Sequence, residues 1–355
     1  MTDRLINNIQ QNMEKLFNDA PEDARKVKIA VLDTGIDATH EYIKKNWKRP
    51  TLGAGGCRLN DAGYLDFLTT PPSTEIVEDA FGHGTHVAGI ILQLAPDAEL
   101  YVARVFHSGS FDQSSEPGCA RRVAEVPNTF PAHGCCSALT INQAIRYAVD
   151  VWGVDIISMS FGFTIDVREV SDAVIYAYSK NILMIAAASN DGNSRLVPIA
   201  YPARHLGLVI CMNSADAAGF PSKRNPPAAL YRDNFSILGE RVKSTWSKDS
   251  KDANRDGVTV ESDGLWKRAS GTSVATPVAA AVASQIIYWK RVHWADIQWH
   301  SKLESYGGIR QMLASMVTQK TNDGYQYILP SAILDARVKS ALSGTFTINL
   351  RKIYS

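Results

Sequence analysis

Val27-Lys28-Ile29-Ala30-Val31-Leu32-Asp33-Thr34-Gly35 joins a short apolar run directly to a carboxylate and a glycine turn. The polar stretch at 21–26 sets it off on the other side. Such a run reads as a strand covered on both faces, as in a parallel sheet flanked by helices. Similar runs recur at 98–106 (AELYVARVF), 154–161 (VDIISMSF), 182–189 (ILMIAAAS) and 207–214 (GLVICMNS). Between them, apolar residues take helical spacing over 83–94, 140–152 and 167–180, with later helices predicted over 273–292 and 308–318. Strands alternating with helices of about 10 to 15 residues predict right-handed crossovers. The expected fold class is therefore α/β: a three-layer, doubly wound, mostly parallel sheet with helices on both faces.

The N-terminal segment carries Leu5, Ile6, Ile9, Met13, Leu16 and Phe17 at helical spacing, which predicts one amphipathic helix and not a secretory signal. Residues 107–139 hold Gly, Ser, Pro and three cysteines without a period, and 244–264 are polar and charged. Both read as surface loops, and Arg121-Arg122 in the first is a solvated pair or a processing site.

The chain has 355 residues, 45% of them hydrophobic, with 37 basic and 36 acidic side chains. That balance points to no nucleic-acid partner and no membrane surface. No stretch approaches a membrane span. The five cysteines, Cys57, Cys119, Cys135, Cys136 and Cys211, form no CxxC pair and are odd in number. They read as free thiols in a reducing compartment, so the expected location is the cytoplasm. An extracellular location stays open if the chain is part of a longer one.

Three motifs carry chemistry. Asp33, directly after the first strand, sits at the carboxyl end of the sheet, where α/β folds collect functional groups. Asp-Thr-Gly also marks proteases that pair two carboxylates, but no second copy exists here. The plainer alternative for Asp33 is a turn or helix cap. His83 stands in Asp79-Ala80-Phe81-Gly82-His83-Gly84-Thr85-His86-Val87-Ala88-Gly89, flanked by glycines that leave the imidazole open. His83 and His86 are three residues apart, a spacing at which they could share a helix face, so a metallohydrolase is an alternative, although the HExxH pattern is missing. Ser273, in Ser270-Gly271-Thr272-Ser273-Val274-Ala275-Thr276-Pro277, opens a helix. There its own N–H can serve a developing oxyanion, or the serine is a plain cap.

Taken together, these motifs resemble the subtilisin-like serine proteases, in the family's order of Asp, then His, then Ser. The likeness covers about 27–285. It implies a serine endopeptidase that acts through an acyl-enzyme, with Asp33, His83 and Ser273 as the triad. Ala186-Ala187-Ala188-Ser189-Asn190-Asp191-Gly192 is similar to the family's oxyanion segment. Asn190 is thereby implied as the side-chain donor beside the Ser273 N–H, although Ser189 stands where the family has glycine. Ser158-Met159-Ser160-Phe161-Gly162 resembles the family's substrate strand. The implied binding residues are Ser158, Ser160, Phe161 and Gly162 with Ala187, Ala188 and Ser189, pairing with a polypeptide laid down as an extended strand.

The resemblance implies no required cofactor. Structural calcium is common in the family, but no complete ligand set maps onto this chain. The expected organisation is an N-terminal helical extension over 1–26, a catalytic domain over 27–320 and a C-terminal extension packed on it over 321–355. The expected state is a monomer or one part of a longer chain. A fold-retaining binding module without activity is the alternative from another class. It is opposed by the intact chemistry at all four implied catalytic positions.

Overall fold

The structure is a computed structural model that describes residues 1–17, 24–48, 63–75, 77–107, 138–192, 199–250, 258–293 and 302–330. The helices are α1 (Thr2–Phe17), α2 (Glu41–Asn46), α3 (His83–Leu94), α4 (Ala138–Tyr147), α5 (Arg168–Ser179), α6 (Thr272–His293) and α7 (Tyr306–Ser315). The strands are β1 (Lys28–Asp33), β2 (Tyr64–Asp66), β3 (Glu99–Arg104), β4 (Ile156–Met159), β5 (Leu183–Ala187) and β6 (Val209–Ala215). They continue as β7 (Phe235–Leu238), β8 (Val242–Trp246), β9 (Val258–Glu261), β10 (Gly264–Ala269), β11 (Val317–Lys320) and β12 (Gln326–Ile328).

Nine strands form one sheet in the order β11-β12-β7-β6-β5-β4-β1-β3-β2, and only the β11–β12 pair is antiparallel. The run that opens at Lys28 is central, in register with β3 through Asp33↔Arg104 and with β4 through Leu32↔Met159. Successive strand residues point to opposite faces. Ile29 and Val31 accordingly join a core with α3, α6 and α7, while Ala30 and Leu32 join a second core with α4 and α5. The sheet is thus covered on both faces, as its unbroken apolar runs predict. Helix α1 places Ile6 and Ile9 in the first core, Asp3 pairs with Arg268 on β10, and Gln10 Nε2 donates to the Gln93 carbonyl.

Three expectations need correction. The polar stretch at 244–264 is no surface loop where it is described: β8, β10 and β9 make a separate antiparallel sheet. Its polar residues are buried because their hydroxyls find acceptors. Ser244 Oγ donates to the His86 carbonyl at 2.8 Å and Thr245 Oγ1 to the Thr85 carbonyl at 2.9 Å. Second, the boundary at 320 cuts the β11–β12 hairpin, and β12 lies inside the main sheet, paired with β7. Third, Ser158 is not at an edge. It pairs with Val31 on one side and Ile185 on the other, and it is fully buried. Arg121-Arg122, Cys57, Cys119, Cys135, Cys136 and residues 331–355 lie outside the described residues. Cys211 is a free, buried thiol whose pKa burial pushes up to about 11, which makes it a poor nucleophile.

Candidate active site

Strand β1 ends by delivering Asp33 into the interior, 2% exposed. Its Oδ1 accepts from the Thr34 N–H at 2.8 Å and from His83 Nδ1 at 2.8 Å. The carboxylate therefore holds the proton on Nδ1 and leaves Nε2 as the basic nitrogen. Burial pulls the His83 pKa down, but the charge of Asp33 and its hydrogen bond outweigh that and leave the pKa raised.

His83 is the first residue of α3, and the chain reaches it through Gly82 at φ 99. A side chain at Gly82 would need a left-handed backbone and would run into the Trp246 ring, 2.6 Å from its Cβ. The turn is tied by Asp79, which is fully buried. Asp79 Oδ1 accepts from Thr34 Oγ1 (2.8 Å), Phe81 N (3.1 Å) and Gly82 N (2.7 Å). Its Oδ2 accepts from Thr85 N (2.8 Å) and Thr85 Oγ1 (2.7 Å). Thr34 Oγ1 in turn accepts from Gly84 N at 2.9 Å, so one carboxylate fastens the end of β1 to the start of α3. Sequence reasoning assigned Asp79 no role. Its signal was there, since an acidic residue a few positions ahead of a helix start matches capping chemistry.

His86, one turn on, faces away from this pair. Its Nε2 lies 3.2 Å from the Val242 carbonyl and 3.1 Å from the Lys267 carbonyl, so that nitrogen carries hydrogen and donates. Burial, helped by the neighbouring His83, pushes its pKa down to about 3. A neutral imidazole bonded to two carbonyls joins α3 to the small sheet and is not arranged as a metal ligand beside His83. Among the described residues, no group of three or more His, Cys, Asp or Glu is placed to hold a metal ion.

Ser273 is the second residue of α6, and its hydroxyl makes no hydrogen bond among the described residues. Catalytic hydrogen bonds are often long before substrate closes the site. Around it the backbone is anchored from two strands. Beyond β5, Asn190 Oδ1 accepts from Thr272 N at 2.8 Å and from Thr272 Oγ1 at 3.2 Å. Because a backbone N–H must meet the oxygen, the Asn190 amide is oriented with its NH2 group left over. Gly271, at φ 141, allows this approach, since a Cβ there would stand 2.6 Å from Asn190 Oδ1. Beyond β4, Ser160 Oγ donates to the Ser273 carbonyl at 2.7 Å.

The remaining expected binding residues fall around this region with different freedom. Gly162 lies beyond the end of β4, with the backbone of its neighbour Phe163 bridged to Tyr201. Phe161 is buried against Phe106 and Phe163, so it offers backbone and not side chain. Ala187 is paired with Met212. The Ala188 N–H bonds to the Met212 carbonyl and its own carbonyl accepts from Ala200, which leaves neither group for a substrate. Ser189 takes φ 155, a backbone conformation that favours the glycine found there in the resembled family.

The model of the subtilase family (Peptidase_S8) matches residues 24–326. The chain is 28% identical over 286 residues to the subtilisin-like protease het-Q2 of Podospora anserina, covering 74% of this chain and 69% of that one. It is 30% identical over 277 residues to an intracellular serine protease of Paenibacillus polymyxa, covering 73% and 66%. The fold is shared with the solved S41 psychrophilic protease at a TM-score of 0.57 and 22% identity, covering 87% of this chain and 90% of that one. The matched part thus spans about two thirds of the two curated relatives.

Proposed function

The chain belongs to the subtilase family of serine endopeptidases, and from that premise we propose that it hydrolyses polypeptides through Asp33, His83 and Ser273. Ser273 Oγ attacks the scissile carbonyl while His83 Nε2 takes its proton and later returns it to the leaving amine. Asp33 keeps the imidazole in the required tautomer and stabilises its charged form. The Ser273 N–H and the Asn190 NH2 receive the oxyanion. Water then releases the acyl group, with no cofactor invoked.

The single observation that carries this reading is the 2.8 Å bond between Asp33 and His83, two residues 50 positions apart. The substrate would lie extended beside Ser160, Phe161 and Gly162 on one side and near Ala187 and Ser189 on the other. Strand β4 is paired with β1 on one side and β5 on the other, so a peptide that adds by backbone pairing would do so past its end and not along it. The reading includes a catalytic domain that begins at about 27 and runs through β12, preceded by a helical extension, acting as a monomer or as one part of a longer chain. It also includes a cytoplasmic location, in keeping with the relative named as an intracellular serine protease.

The test is labelling of the purified protein with a fluorophosphonate, read by intact mass, with Ser273→Ala as control. A single adduct that the substitution abolishes supports the reading. A folded protein that takes no label overturns it in favour of a binding module.

A further inference from the structure

An α-helix satisfies each carbonyl with the N–H four residues on. For Ser273 that residue is Pro277, which lies inside α6 and has no N–H to give. The carbonyl of the proposed nucleophile therefore lacks the N–H that a regular α-helix would supply, and a proline ring at this spacing crowds it as well. A side-chain partner comes from another element, the Ser160 hydroxyl at 2.7 Å, 96% shielded from solvent just past the end of β4. On the other side of Ser273, Thr272 N is held by Asn190 from beyond β5. The backbone just before and just after the nucleophile is thus tied, at Thr272 N and at the Ser273 carbonyl, to the two adjacent strand ends where the substrate is proposed to lie.

We infer that Ser160 is a positioning residue for catalysis: its hydroxyl takes the place of the helical N–H that Pro277 lacks and sets the alignment of Ser273 against the substrate strand. The inference rests on the triad proposed above. Ser160 touches no reacting atom, and its effect passes through the Ser273 carbonyl. A partly buried carbonyl that loses its donor shifts to find another, and small displacements of a nucleophile slow its attack steeply.

The test compares wild type, Ser160→Ala, Pro277→Ala and the double variant by the second-order rate of fluorophosphonate labelling and by kcat and KM on a denatured protein substrate. Ser160→Ala is expected to slow labelling and lower kcat about tenfold, with KM changed less than about twofold. Pro277→Ala restores an N–H to the helix, so in that background the same substitution is expected to cost less than about twofold. An equal cost in both backgrounds, or none in the native one, overturns the positioning role and leaves the triad standing. A wild type that takes no label overturns the triad and this inference with it.

Discussion

The hydroxyl of Thr34 donates to Asp79 Oδ1 across 2.8 Å and accepts from Gly84 N at 2.9 Å, which makes a two-bond bridge from the end of β1 to the first turn of α3. Asp33 and His83 stand at either end of that bridge. Each is one residue from an anchor of the bridge, Thr34 or Gly84, so the bridge helps to set their 2.8 Å contact.

Asp79→Asn tests the bridge. The amide would put two donors where five donors now converge, so several groups lose their acceptor inside a dry site. Stability is expected to fall by about 3 kcal/mol, read from urea denaturation, and fluorophosphonate labelling to fall with it. Stability within about 0.5 kcal/mol of wild type would show that the Asp79 contacts are not what ties β1 to α3.

The pH profile follows from the raised pKa of His83. The base must be neutral to accept the proton, so kcat/KM is expected to rise with pH through a midpoint above 6.5, the ordinary histidine value. The same shift favours the protonated form in the folded state. Its contribution to stability is therefore present below the unfolded value and lost as pH rises through the folded one. Asp33→Asn removes the charge that raises the pKa. It should lower both the midpoint and the rate, and an unmoved midpoint would assign the profile to another group.

Asn190→Ala removes a side-chain donor while the Ser273 N–H remains. kcat is expected to fall by a factor of about 10²–10³ with little change in KM. Asn190 also holds Thr272 N, so a crystal structure or near-ultraviolet spectrum of the variant should accompany the kinetics. A loss in KM alone would argue for a role in binding only.

Ser189→Gly addresses the one implied family glycine that this chain lacks. At φ 155 a residue with a Cβ is strained, and glycine should relieve it. The expected gain is about 1 kcal/mol, read as a rise in melting temperature. It is reduced by loss of the hydrogen bond from Asp191 N to Ser189 Oγ. A fall in melting temperature would mean that this hydrogen bond outweighs the strain.

The attachment of α1 separates packing from charge. Ile9 is 1% exposed within the main core, and Ile9→Ala is expected to cost about 3 kcal/mol. Arg268→Ala, which breaks the partly exposed pair with Asp3, should cost under about 1 kcal/mol and less at high salt. Thermal denaturation distinguishes the two. Equal effects would mean that the helix is held by its ion pair.

What the residues determine alone is local and one-dimensional. The apolar runs placed the strands that became β1, β3, β4, β5 and β6, and the helical spacing placed α3, α5 and α6, because burial leaves a period in the sequence. The motifs around Asp33, His83, Ser273 and Asn190 were legible because their chemistry needs particular side chains in particular local frames. Other features leave no such mark. Ser244 and Thr245 read as surface but are buried, since the acceptors of their hydroxyls lie on a helix more than 150 residues away in sequence. Ser158 read as a binding residue, but the strands that pair with it on both sides decide otherwise. Asp79 and Ser160 acquire their roles only when the end of β1 meets α3 and the end of β4 meets α6. A period reports whether a side chain is covered, whereas a hydrogen bond needs a donor and an acceptor brought within 3 Å or so, and only the tertiary fold sets that distance.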